Sequence, residues 1–74
     1  MTVTQSILIP RDKFTYRQAV NWIRSHDYMV TYRGKPVDKT EKYWRFRQKD
    51  PSKKYRYRSH KLPNDIILIL GYIK

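Results

Sequence analysis

Two phrases in this chain set its most charged side chains beside its bulkiest: Tyr43-Trp44-Arg45-Phe46-Arg47 and Tyr55-Arg56-Tyr57-Arg58. Arginine suits phosphate because its planar guanidinium donates paired hydrogen bonds and stays charged at any physiological pH, whereas lysine acts as a point charge. A tyrosine beside arginines can stack on a nucleobase, and Tyr43 is the best placed to do so. Lys42, Lys49, Lys53, Lys54 and Lys61 surround both phrases. Arg45, Arg47, Arg56, Arg58, Tyr43 and these five lysines are therefore the candidate contacts to DNA or RNA. Binding of that kind falls steeply with salt and depends little on sequence.

The charge of the whole chain points the same way. Seventeen Lys and Arg oppose six Asp and Glu among 74 residues, a formal net charge of +11. Residues 33–61 hold twelve of the basic groups and three of the acids, and so carry nine of the eleven net charges. A field this uneven implies an anionic partner, whether nucleic acid, an anionic membrane or an acidic protein, and goes beyond what solubility requires. A merely solvated basic surface is the plain alternative.

The elements that position these residues follow from pattern. VTQSILIP, residues 3–10, is β-prone and stopped by Pro10. Thr15 and Gln18 fit a capping box, with Phe14 and Ala19 at the staple positions. The spacing predicts a helix over about 16–26, with Tyr16, Ala19, Val20, Trp22, Ile23 and His26 inward and Arg17, Asn21 and Arg24 outward. Asp27 stands where a helix exits through a left-handed residue, usually glycine. YMVTYR, residues 28–33, reads as a second strand, and RGKPVDKTEK, residues 33–42, as a surface loop. Strands over 43–48, 55–61 and 66–72 follow, joined by KDPSKK and LPND; the last is apolar on both faces, as an interior strand should be. The result is an α+β fold: a single two-layer domain spanning 1–74, in β-α-β-β-β-β order, with one helix packed on a mainly antiparallel sheet.

Alternate residues of a strand share a face. Trp44 and Phe46 can each bury roughly 150–250 Å², which a chain near the lower size limit for a core can hardly leave in water. If the rings of both phrases lie beneath the helix, Arg45, Arg47, Arg56 and Arg58 converge on the open face of the sheet as one basic surface.

Other chemistry finds little support. There is no cysteine, hence no disulfide and no thiolate metal site, and His26 and His60 lie far apart. The six acids are scattered over turns, and Ser59 and His60 fall on opposite sides of a strand. The expectation is a protein that is not an enzyme, with no cofactor and no bound metal. The five-residue run Ile66–Leu70 is far short of the roughly twenty residues that span a membrane. The start, MTVTQSILIPRDK, lacks the features of a secretory signal. Both features lead to the expectation of an intracellular protein or virion component that is not secreted and has no membrane partner.

The succession SILIPRDKFT, AVNWIRSHDY, VDKTEKYWRFRQKDP and KLPNDIILILGY resembles a small domain of tailed phages and large double-stranded DNA viruses, found alone or appended to phage head-assembly proteins. Its pattern runs through a helix ending W-[IL]-x-x-H-G-Y and a V-D-x-T-E-x-Y-x-R-F-R-Q phrase, matched here by Trp22, His26, Tyr28 and Arg45, Phe46, Arg47 and Gln48. The chain departs from it at Asp27 and at Asn64-Asp65, where the module has glycine. The resemblance implies a viral setting rather than a mechanism. Two readings of function are carried forward. One is a small basic viral protein that binds nucleic acid through an arginine-rich sheet face. The other is a virion-associated or inhibitory protein that docks on an acidic surface of a viral or host protein. A homodimer through a sheet edge is compatible with either.

Overall fold

The β-prone run after the first residue forms β1 (Thr2–Pro10), and α1 (Tyr16–Ser25) follows it. Four further strands are β2 (Asp38–Lys39), β3 (Tyr43–Arg47), β4 (Tyr55–Lys61) and β5 (Ile67–Ile73). The computed structural model describes residues 2–31, 34 and 37–73. The α+β reading holds, with one helix on one antiparallel sheet in the expected order.

The second strand is displaced from its expected position. Tyr28 to Thr31 run irregularly, Tyr32 and Arg33 lie outside the described residues, and the strand falls instead at Asp38–Lys39, inside the expected loop. The cause is the turn that follows. Thr40 accepts at Oγ1 from the Tyr43 backbone N–H at 2.9 Å, and its own N–H donates to the Tyr43 carbonyl at 2.9 Å. This closes a tight connection that lays Asp38 opposite Arg45 and Lys39 opposite Trp44.

The helix begins as its capping box requires: Thr15 Oγ1 accepts from the Gln18 N–H, and the Gln18 carboxamide accepts from the Thr15 N–H at 2.9 Å. It ends through Asp27 at φ 61°, with the Tyr28 N–H donating to the Ile23 carbonyl and the Asp27 N–H to the Arg24 carbonyl. That pair of bonds is a Schellman exit, and it forces the left-handed residue. Between β4 and β5 the Asp65 N–H donates to the Leu62 carbonyl at 2.9 Å, and Asp65 again takes a left-handed conformation, φ 67°.

Strand order across the sheet is β2-β3-β1-β5-β4. β1 is central, and β5 lies between β1 and β4, which explains a sequence apolar on both faces. Pro10, which has no N–H, stands past the last pair of the β1–β5 ladder, Leu8 opposite Ile67. Ile7, Ile9, Phe46 and Ile66 of the sheet side meet Ala19 and Ile23 of the helix, and these six form the buried core. Trp22 and Trp44 pack half-buried at its margin. Tyr16 and His26, expected inward, are exposed at the first turn and the C-cap of the ten-residue helix, Tyr16 edge-on to Trp44 and His26 stacked on Trp22.

Candidate nucleic-acid interface

Register decides which face each arginine occupies, because residues directly opposite in an antiparallel ladder share a face. One row reads Arg45, Leu8, Ile67, Lys61 across four strands. The next row on that face reads Arg47, Ser6, Ile69, Ser59, followed by Val3, Gly71, Tyr57 and then Ile73, Tyr55. The helix-side rows read Phe46, Ile7, Leu68, His60, then Thr4, Leu70, Arg58, then Thr2, Tyr72, Arg56. Phe46 and Ile7 are core residues under the helix, so the first set of rows forms the open face.

The expected convergence of four arginines is therefore wrong. Arg45 and Arg47 lie on the open face; Arg56 and Arg58 lie on the helix side, beyond the helix, toward the edge. Nor are their strands neighbours, since β1 and β5 intervene between β3 and β4. Trp44 and Phe46 turn toward the helix as expected, but Tyr55 and Tyr57 turn to the open face. Gly71 explains why. It leaves a gap on the open face of β5 that the Tyr57 ring fills, so that a Cβ at Gly71 would stand 3.0 Å from Tyr57 Cε1. Ser59 and His60 do point to opposite sides, as expected.

The tyrosines hold a strap across the open face. The Tyr57 hydroxyl accepts from the Ser52 N–H at 2.7 Å, and Lys49 Nζ donates to the Tyr55 hydroxyl at 3.3 Å. At its other end the strap is tied to a bulge in β1. The Gln5 carbonyl accepts from the N–H groups of Gln48 and Lys49, and Gln5 Nε2 donates to the Lys49 carbonyl at 2.9 Å. Lys49, Lys53 and Lys54 thus border the open face on exposed positions. Lys61 closes the far end of the first row and reaches Asp65 at 3.3 Å. Three strand spacings, roughly 14 Å, separate it from Arg45. Tyr43 is half-buried on the open side opposite Pro10, and Lys42 is exposed in the turn before it.

Arg45 and Arg47 are half-buried, opposite Leu8 and Ser6 of β1, and Ser6 is fully covered. Neither arginine forms an ion pair among the described residues, and the Nε of each, like that of Arg11, is covered without a hydrogen-bond partner among them. Arg56 and Arg58 are exposed and likewise lack an acid partner among those residues. Arg11 differs at Nη1, which donates to the carbonyls of Thr40 at 2.8 Å and Glu41 at 3.1 Å, with its guanidinium 5.1 Å from the Trp44 ring centre. It is committed to holding the β2–β3 turn.

Tyr72 was not singled out by sequence. It stands directly opposite Arg56, is 39 % exposed, and lines a shallow concavity with Arg56, Arg58 and Ile73. Its place in an apolar strand suggested core, and only the pairing with β4 sets it among arginines. Among the described residues no three His, Asp or Glu side chains gather where they could hold a metal ion, and no helix is long and apolar enough to cross a membrane. Comparison with protein-family models, characterised proteins and solved structures finds no match.

Proposed function

We propose that this is a small basic protein that binds nucleic acid, DNA or RNA, without sequence specificity, and that Arg45 and Arg47 on the open sheet face are its principal phosphate contacts. The observation that carries this reading is that Arg45 and Arg47 stand two residues apart on one open face and neither has an acid partner among the described residues. A phosphate laid across the face would satisfy both guanidinium groups at once. Lys49, Lys53, Lys54 and Lys61 around the face add long-range attraction. In the viral setting that the resemblance suggests, the bound polymer would be the viral genome or its transcripts.

Titration of fluorescent single- and double-stranded DNA and RNA at several salt concentrations tests the reading. Affinity should fall linearly on a log–log plot with a slope of about −0.9 per phosphate neutralised on duplex DNA and about −0.7 on single strands. R45E/R47E should lower affinity on every sequence alike and make the slope shallower. Absence of binding at low salt would falsify the proposal.

A second reading rests on the aliphatic middle of the same face, where half-buried Leu8, Ile67 and Ile69 lie between the arginines and Lys61. It is docking on an acidic protein surface, with those side chains as its apolar centre. The charge-conserving variant R45K/R47K separates the two: phosphate binding weakens but keeps its salt slope, while a protein interface built on fixed arginine anchors is lost.

A further inference from the structure

Among the described residues, the arginines that the register sends to the helix side lack acid partners as those on the open face do. Arg56 and Arg58 are exposed on the edge strand, two residues apart on one side. Tyr72 stands directly across from Arg56, and Leu70 across from Arg58, so an exposed ring sits beside two guanidinium groups. These side chains, with Ile73, surround one concavity. Thr2 and Thr4, next in the same rows, add hydroxyl groups but no negative charge. Asp65, which pairs with Lys13 and Lys61, stands at the other end of the hairpin.

Edge strands commonly carry arginine or lysine simply to prevent sheet-to-sheet pairing. That role does not call for an exposed aromatic ring on the inner neighbour facing those charges. An open ring flanked by two cations is the arrangement that holds an unpaired base by its face and its phosphates by charge.

We infer that the helix-side corner formed by Arg56, Arg58 and Tyr72 is a second nucleic-acid subsite, in which an unpaired base stacks on Tyr72 and the flanking phosphates meet Arg56 and Arg58. It rests on the proposed nucleic-acid binding and extends it. Because this corner and the Arg45–Arg47 face are on opposite sides of one sheet, a single short strand does not occupy both. One chain therefore holds two strands and bridges them. The corner needs a single strand, since paired bases do not offer their faces, whereas the open face needs only phosphates.

The experiment uses the full chain with two readouts. Fluorescence anisotropy with a labelled oligothymidine, and with the same oligomer containing abasic positions, reports binding. Capture of a second labelled oligothymidine by protein already held on an immobilised one reports bridging, with sedimentation run alongside to compare bridging with self-association. Wild type is expected to bind and to bridge as a monomer. R45E/R47E and R56E/R58E should each keep binding one oligomer and each lose bridging. In the R45E/R47E background, Y72A should weaken binding of oligothymidine by about tenfold, the range expected for one stacked base, and Y72F should restore it. The abasic oligomer should be indifferent to Y72A. Binding by wild type that R45E/R47E abolishes outright overturns the second subsite and leaves the open-face reading standing. Bridging that survives R56E/R58E, or that occurs only in a self-associated species, also overturns it. No binding by wild type at low salt overturns both.

Discussion

The Gln48 side chain brackets the backbone of Met29: its Oε1 accepts from the Met29 N–H at 2.8 Å, and its Nε2 donates to the Met29 carbonyl at 2.7 Å. One carboxamide thus does for the segment after the helix what a neighbouring strand would do, and this is how Tyr28 to Val30 stay against the core without strand pairing. The Gln of the Arg45-Phe46-Arg47-Gln48 phrase is a structural clasp, while the arginines before it lie half-buried on the open face of the sheet.

Q48A should therefore cost about 1–3 kcal/mol of stability, two hydrogen bonds at a partly exposed site. Q48E should cost a similar amount, because it keeps an acceptor but places a second one against the Met29 carbonyl. Urea denaturation monitored by tryptophan fluorescence measures both, and a neutral Q48A would show that the clasp contributes nothing.

Asp27 and Asp65 both hold positive φ, where glycine has no steric cost. D27G should raise stability by about 0.5–1 kcal/mol, the conformational relief being partly offset by the greater freedom of glycine in the unfolded chain. D65G gains less, since Asp65 also pairs with Lys13 and Lys61. Thermal melts of the two variants, compared at high and low salt, should show the difference between them shrink as salt screens those pairs.

G71A places a Cβ 3.0 Å from Tyr57 Cε1 and 3.2 Å from Val3 Cγ2. The ring cannot retreat without breaking its hydroxyl contacts with Ser52. A loss of about 1–3 kcal/mol is expected from this overpacking. Y57F should loosen the 49–54 strap, seen as faster amide exchange at Ser52, without unfolding the sheet.

Arg45 and Arg47 present the opposite case. Neither has an acid partner among the described residues, so R45M/R47M, similar in reach and apolar, should leave the melting temperature unchanged or raise it while lowering nucleic-acid affinity. A large fall in stability would mean that the pair serves the fold and not a ligand.

The elements themselves were legible because their signals are local. Thr15 and Gln18 satisfy orphan N–H groups within one turn, and the Leu62-Pro63-Asn64-Asp65 connection needs only its own residues to turn. The second strand was misplaced because Tyr28 to Arg33 has strand-like composition, whereas the two-residue strand at Asp38–Lys39 owes its pairing to the Thr40 turn and to β3. A composition signal cannot compete with a partner that it does not see.

Alternation, charge and turn chemistry were thus determined by the sequence alone: it establishes that Arg45 parts from Phe46, that Arg56 parts from Tyr57, and that the chain is strongly basic. Which way each strand faces was decided only by the tertiary structure, since a period of two fixes the separation of faces and leaves their identity to the neighbour. Ile7 and Ile9 pull Phe46 and Trp44 under the helix, while Gly71 draws Tyr57 to the open side and leaves Arg56 and Arg58 beside Tyr72. Two phrases alike in sequence therefore present their arginines to opposite sides of one sheet.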